Sequence, residues 1–237
     1  MTPVARHLSE RWGVLEALQT RPSIPGLIRE LARVVAGAAA PPVVLAGFSW
    51  GAWLGILYAR RYPEQVAKLI LIGCGPLEEK YLHRLRRNRE KRLDPGLRDE
   101  LQSLETTLLS PALSDHRKKK AMVRLGEIYS RIDAFHPLKK PLDGVNPDPR
   151  LYIQVWREAA RYRKTGELLR SAHSLSCPVV AIHGDFDPHP LAGVVEPLRR
   201  LPRFRWIQLE NCGHKPWIES GARARFYRLL EQEVESS

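Results

Sequence analysis

Cysteine is scarce in this chain. The three that occur, Cys74, Cys177 and Cys212, are far apart and share no metal-like spacing. That argues against a disulfide framework and a thiolate metal site, and a reduced, cytoplasmic setting is the simplest expectation. Long apolar runs are also missing. None approaches the roughly 20 residues that a membrane span needs. The opening MTPVARHLSERWG has no apolar core of the signal-peptide kind. There is no internal repeat and no low-complexity tract. Acidic residues are outnumbered, 26 Asp+Glu against 38 Lys+Arg, which leaves a net charge of +12. Pro76 to Leu175 carries 22 Lys+Arg and 14 Asp+Glu, an excess of eight positive charges. The clusters are HRLRRNREKR (His83–Arg92) and HRKKK (His116–Lys120). A basic face attracts nucleic acid or an anionic substrate. No aromatic interleaving and no nucleic-acid motif accompany these charges, so a solvated helical face is expected and nucleic acid is not an expected partner.

What remains is a globular chain. Its 237 residues, 43% of them hydrophobic, suit one sizeable domain with room for an inserted subdomain. WGVLEALQ (Trp12–Gln19) is a short strand candidate. SIPGLIRELARVVAGAAA (Ser23–Ala40) places Ile24, Leu27, Ile28, Leu31, Val34 and Val35 at helical spacing, with Ser23 as N-cap and Pro41-Pro42 as the stop. PVVLAGF (Pro42–Phe48) and VAKLILIGC (Val66–Cys74) read as buried strands, with a buried helix from Trp50 towards Pro63 between them. Strands that are apolar rather than alternating, in strand-helix order, predict a parallel sheet covered by helices. From Leu77 to about Ser174 the pattern becomes charged amphipathic helices, broken at Asp94-Pro95-Gly96, at Ser110-Pro111 and in HPLKKPLDGVNPDP. Strand pattern resumes at CPVVAIHGD, followed by a helix near Leu191–Arg200, the strand FRWIQLE (Phe204–Glu210), the loop NCGHKPW and a terminal helix to about Val234.

Gly47-Phe48-Ser49-Trp50-Gly51 joins a strand to a helix, which is the nucleophile-elbow pattern. The turn must be sharp so that the serine projects above the sheet. Side chains at positions 47 and 51 would collide with it, so glycine is expected at both. The helix N-terminus then offers the Trp50 backbone N–H to a developing oxyanion. A serine nucleophile needs a base and an orienting carboxylate. AIHGDFDPHP places Asp185 and Asp187 at one strand end, and LENCGHKPWIE places His214 after the next. Parallel strands bring such ends to one rim. His183, Asp185, Asp187 and His189 also offer a candidate metal set. A hydrolase acid loop with bystander histidines explains them better. Cys212, near His214, reads as a packing residue. Trp50, Trp53, Trp156 and Trp217 are candidate pocket residues.

LAGFSWGAWLG, VVAIHGDFDPHP and ENCGHKPWIE together resemble the α/β-hydrolase superfamily, in its branch of esterases, proline iminopeptidase-like peptidases and carbon–carbon bond hydrolases. The resemblance runs from about Trp12 to the C-terminus. It implies an α/β fold: a mostly parallel sheet with helices on both faces and an inserted helical cap. The implied division is residues 1–75 and 176–237 as core and 76–175 as cap. The family's Gly-x-x-Asp pattern leads from Gly184 to Asp187, with Pro190 beyond, which makes Asp187 the implied triad acid and Asp185 the runner-up. The Gly-His-x-Pro pattern matches Gly213-His214-Lys215-Pro216. Pro188 biases Asp187 to an extended backbone, while Asp185 is expected to satisfy amides of its own turn.

The family's first oxyanion donor follows a strand that precedes the first helix. Here TPVARHLSERW already reads as that helix. The absent strand would separate Trp12–Gln19 from Pro42–Phe48 by about 10 Å, against about 4.8 Å for a ladder. A start codon assigned inside the gene is the favoured explanation, a remodelled protein the other. The expected activity is a serine hydrolase for an ester, amide or related carbonyl substrate, a small molecule held under the cap: Ser49 nucleophile, His214 base, Asp187 orienter, Trp50 oxyanion donor, no cofactor. The alternative is a non-catalytic binding protein on the same fold.

Overall fold

The computed structural model describes residues 1–138 and 148–236. Four strands form one sheet in the spatial order β1 (Val43–Phe48), β2 (Val66–Ile72), β3 (Val179–Gly184) and β4 (Phe204–Leu209). All three pairings are parallel, with Leu45 opposite Leu69, Leu69 opposite Val179, and Val179 opposite Phe204. Parallel neighbours need crossover connections, and these deposit helices on both faces.

The side-chain alternation of β2 and β3 divides the core in two. Leu69, Leu71, Val179 and Ala181 face one side, where they pack with α2 (Ile24–Ala38), α3 (Trp50–Arg61), α8 (Glu167–His173) and α9 (Ala192–Leu198). Ile70, Ile72, Val180 and Ile182 face the other, against α1 (Thr2–Leu8) and α10 (Arg223–Glu235). These eight residues are all at most 2% exposed, so the central strands read as largely apolar runs, interrupted by Lys68 in β2 and His183 in β3, because neither face meets water. β1 and β4 are the edges and are only partly covered.

Between β2 and β3 the chain runs through α4 (Leu82–Glu90), α5 (Pro95–Leu109), α6 (Asp115–Ile132) and α7 (Pro149–Lys164) before α8. No strand occurs here among the described residues. The punctuation foreseen in the sequence acts as capping. Asp94 accepts from Leu97 N–H with Pro95 in the first turn of α5, and Ser23 accepts from Gly26 N–H at the start of α2. α5 and α6 form a hairpin with its own small core of Leu101, Leu108, Leu125, Ile128 and Ile132. By contrast Ala159, Leu168 and Ala172 of α7 and α8 belong to the sheet's first core. The loop foreseen at HPLKKPLDGVNPDP lies largely outside the described residues.

One expected strand is not there. Trp12–Gln19 has no regular structure. A strand needs a ladder partner for its amides, and none flanks β1 on that side among the described residues. Side chains hold the segment instead. Glu16 pairs with the Met1 amino group at 3.2 Å, and Gln19 accepts from the Trp50 indole at 2.8 Å. Leu15 and Leu18 are exposed, while Trp12 and Val14 pack partly on the second core. The wide gap expected between two unpaired strands therefore does not arise.

Candidate active site

Ser49 stands between the end of β1 and the first turn of α3, with φ 53° and ψ −116°. That is left-handed backbone on a non-glycine residue, a conformation that persists only where its surroundings enforce it. The turn is tight enough to dictate Gly47, because a Cβ there would lie 2.3 Å from the Gly51 carbonyl oxygen. Gly51 is different. A Cβ on it would meet nothing within 4 Å, so the expected collision occurs at position 47 alone. The Trp50 N–H opens α3 among the amides that have no intrahelical acceptor.

His214 Nε2 lies 3.1 Å from Ser49 Oγ, and His214 Nδ1 lies 2.7 Å from Asp187 Oδ2. Asp187 is 6% exposed and His214 8%. A carboxylate only accepts, so Nδ1 carries the proton and Nε2 is left to accept from the serine hydroxyl. Burial opposes the charge on Asp187, but His214, His189 and His183 outweigh it and hold its carboxyl well below the usual range. The imidazole is held from both sides, by Phe48 at 4.7 Å between ring centres and by His189, stacked at 4.4 Å.

The loop bearing His214 has four successive amides, each with an acceptor. Asn211 and Cys212 donate to Asp185, both at 3.0 Å. Gly213 donates to Glu219 at 2.9 Å, and His214 donates to the Asp133 carbonyl at 2.8 Å. Asp185 thus ties its neighbour loop rather than its own turn, which differs from the local capping expected of it. Glu219, fully buried, also accepts from Phe135 at 2.9 Å and His136 at 2.8 Å just beyond α6. One carboxylate therefore fastens the end of the helical segment to the histidine loop. Asp133 is itself held by both Nε and Nη2 of Arg89.

His189 is more than a bystander. Its Nδ1–H donates to Asp187 Oδ1 at 2.7 Å, so one carboxylate serves two imidazoles. Burial pushes His189 down to about 4, against the pull of Asp187, and it stays neutral near pH 7. His183 Nε2–H donates to the His189 carbonyl at 2.8 Å. Asp187, His189 and His214 place one ligand atom each within 4.8 Å of one another, which is a candidate metal set. The two 2.7 Å contacts have hydrogen-bond geometry and occupy both carboxylate oxygens, and Asp185 is engaged elsewhere. Of the four residues weighed as a metal set, His183, Asp187 and His189 lie together as a hydrogen-bonded acid loop while Asp185 turns to the histidine loop. Cys212 is buried, and burial pushes its thiol up, so it packs as a neutral group.

A cavity of about 480 Å³ opens over Ser49 and His214. Trp50 and Trp53 of α3 and Trp156 of α7 line it, with ring centres 6.0–6.2 Å apart. Trp217 does not; it packs against Phe48 and Phe226. Sequence reading missed Glu219, Asp133, Arg89 and the engagement of His189. Only the 82-85-86-89 spacing of α4 carried a signal, since it puts those four residues on one helical face.

This arrangement meets its relatives at the level of family and fold. The model of the alpha/beta hydrolase family matches residues 11–229. The chain belongs to that family. No curated protein matches it in sequence. Among solved structures it is similar to VinJ, with 20% identity, 90% of this chain and 72% of that one covered, and a TM-score of 0.60. It is similar to a thermophilic esterase from Thermogutta terrifontis with malate bound, with 19% identity, 99% and 84% covered, and a TM-score of 0.59. It is also similar to E-2-(acetamidomethylene)succinate hydrolase, with 17% identity, 98% and 85% covered, and a TM-score of 0.60. At these identities the likeness is one of fold. Membership of the family makes this alpha/beta hydrolase chain a hydrolase. Among the described residues no helix is long and apolar enough to cross a membrane.

Proposed function

We propose that this protein is a serine hydrolase acting on an ester, amide or related carbonyl compound, a small molecule. The carrying observation is the hydrogen-bonded chain Asp187–His214–Ser49 with the serine on a left-handed elbow. Ser49 Oγ attacks the carbonyl carbon while His214 Nε2 takes its proton. The oxyanion accepts from the Trp50 N–H. His214 then returns the proton to the departing alcohol or amine, leaving an acyl-serine. Water attacks next, His214 again acting as base, and the carboxylic acid leaves as Ser49 regains its proton. Asp187 fixes the tautomer and stabilises the imidazolium.

Residues 1–75 and 176–237 form the core in this reading, and residues 76–175 the lid over the site, with α8 as the lid's return into the core. The cavity supports it, since Tyr129 and Trp156 of that segment line it together with Ser49 and His214. Three free cysteines fit a reducing cytoplasm. The test is hydrolysis of a panel of 4-nitrophenyl esters. Turnover that falls at least ~10³-fold in Ser49→Ala supports the reading. Turnover unchanged by that substitution, or absent from folded protein across the panel, overturns it.

A further inference from the structure

We infer that the substrate of this site carries a negative charge and a flat apolar body besides its scissile bond. The inference rests on the serine hydrolase reading and names the substrate class.

The charge lining the cavity is predominantly positive. Arg86, Arg89, Arg163 and Lys215 line it, and Asp133 is the one lining carboxylate apart from the triad's Asp187 behind the histidines. Asp133 is taken by Arg89. Arg163 uses Nε to reach Glu79 at 2.7 Å, and its guanidinium lies 5.1 Å from the Trp53 ring centre. Its Nη groups have no acceptor among the described residues. Arg86 has no hydrogen bond or ion pair among the described residues and stands exposed at the cavity mouth. A guanidinium presents a planar fork that fits a carboxylate or a phosphate. Walls of low polarity focus such a field, so anions are drawn in and neutral molecules are not. The cluster of Trp50, Trp53 and Trp156, with Arg163 against Trp53, lines the same cavity and offers aromatic surface to a planar group. Exposed Arg86, Arg163 on the Trp53 ring and the tryptophan cluster share the cavity with Ser49, which defines one pose: flat body against the rings, anion towards Arg86 and Arg163.

Two matched pairs test this in the full chain. Wild-type protein is given mono-4-nitrophenyl terephthalate and 4-nitrophenyl 4-methylbenzoate, which differ in charge and little in shape. Ser49→Ala is titrated calorimetrically with 2-naphthoate, 2-naphthyl phosphate and 2-naphthalenemethanol. The anionic ester should have a kcat/KM about tenfold higher, equivalent to about 1.4 kcal/mol, and both anions should bind at least as selectively over the alcohol. The tighter of the two anions distinguishes carboxylate from phosphate. Arg86→Glu, a change at an exposed residue, should abolish the preference while alcohol binding moves less than twofold, and 0.5 M salt should weaken it. A ratio near one in both pairs, or a preference that survives both Arg86→Glu and Arg163→Gln, overturns the inference. Loss of ester turnover with selective anion binding intact removes the hydrolase reading instead, so the two failures are distinct.

Discussion

Asp187 holds two imidazoles on one buried carboxylate, and the two bonds have different consequences. The bond to His214 sets the tautomer that leaves Nε2 ready for Ser49. Asp187→Asn should therefore cut turnover by about 10⁴-fold, read from kcat with a saturating ester, while the fold is retained by circular dichroism. Asp185→Asn should leave kcat within a few-fold and cost about 1–3 kcal/mol in urea unfolding, because the Asn211 and Cys212 amides lose one acceptor oxygen. The burial of His189, which outweighs the pull of Asp187, shows in stability against pH. His189 titrates near 4 when folded and near its ordinary 6.5 when unfolded, so the unfolded chain binds more protons between those values. Stability should fall on acidification through that window, by up to about 3 kcal/mol. Asp187, held low, adds a further loss only below its ordinary 3.8, acting in the same direction. His189→Asn should flatten the fall between pH 6.5 and 4 in urea unfolding series. An unchanged slope would count against the buried neutral imidazole.

At the scale of elements, the histidine loop is positioned by carboxylates from outside it. Glu219 is the critical one, since it alone satisfies three amides on two chain segments. Glu219→Ala would deprive all three of this acceptor, the buried Gly213 amide and the part-buried amides of Phe135 and His136. It should cost about 3 kcal/mol or more in unfolding free energy and lower kcat more than it raises KM, because the loop loses register against Ser49. Loss of stability with kcat unchanged would assign Glu219 to folding only. Sequence periodicity showed why β1 to β4 and most helices exist: β2 and β3 are apolar apart from Lys68 and His183 because both faces are covered, and Ser23 and Asp94 cap where a first turn needs an acceptor. It misled at Trp12–Gln19, where apolar residues suggested a strand but no ladder partner flanks them. It was half right at the elbow, since chain path and not sequence decides that Gly47 is crowded and Gly51 is not. Glu219 and Asp133 were illegible for a related reason. Glu219 reaches the Phe135 and His136 amides 84 and 83 positions away, and the Asp133 carbonyl the His214 amide 81 away, and no motif spacing records such contacts.

At the scale of the molecule, a parallel sheet supplies the rim and a helical segment supplies the roof. The rim explains how residues 49, 187 and 214, distant in sequence, meet within 3.1 Å contacts. The basic clusters are largely solvated, as their composition suggested, but the first of them turns inward at two points. Arg89 holds Asp133, and Arg92 donates to the Ile132 carbonyl at 2.9 Å and the Phe186 carbonyl at 2.6 Å, so part of the charge excess is structural glue between roof and rim. All of this converges on one claim, that Ser49 is an activated nucleophile. The direct measurement is reaction of the folded protein with a fluorophosphonate, followed by intact mass and peptide mapping. The account predicts one phosphonyl adduct, on Ser49, formed at least ~10²-fold more slowly in His214→Ala. No adduct on folded protein, or an adduct on another residue with Ser49 unmodified, would contradict it.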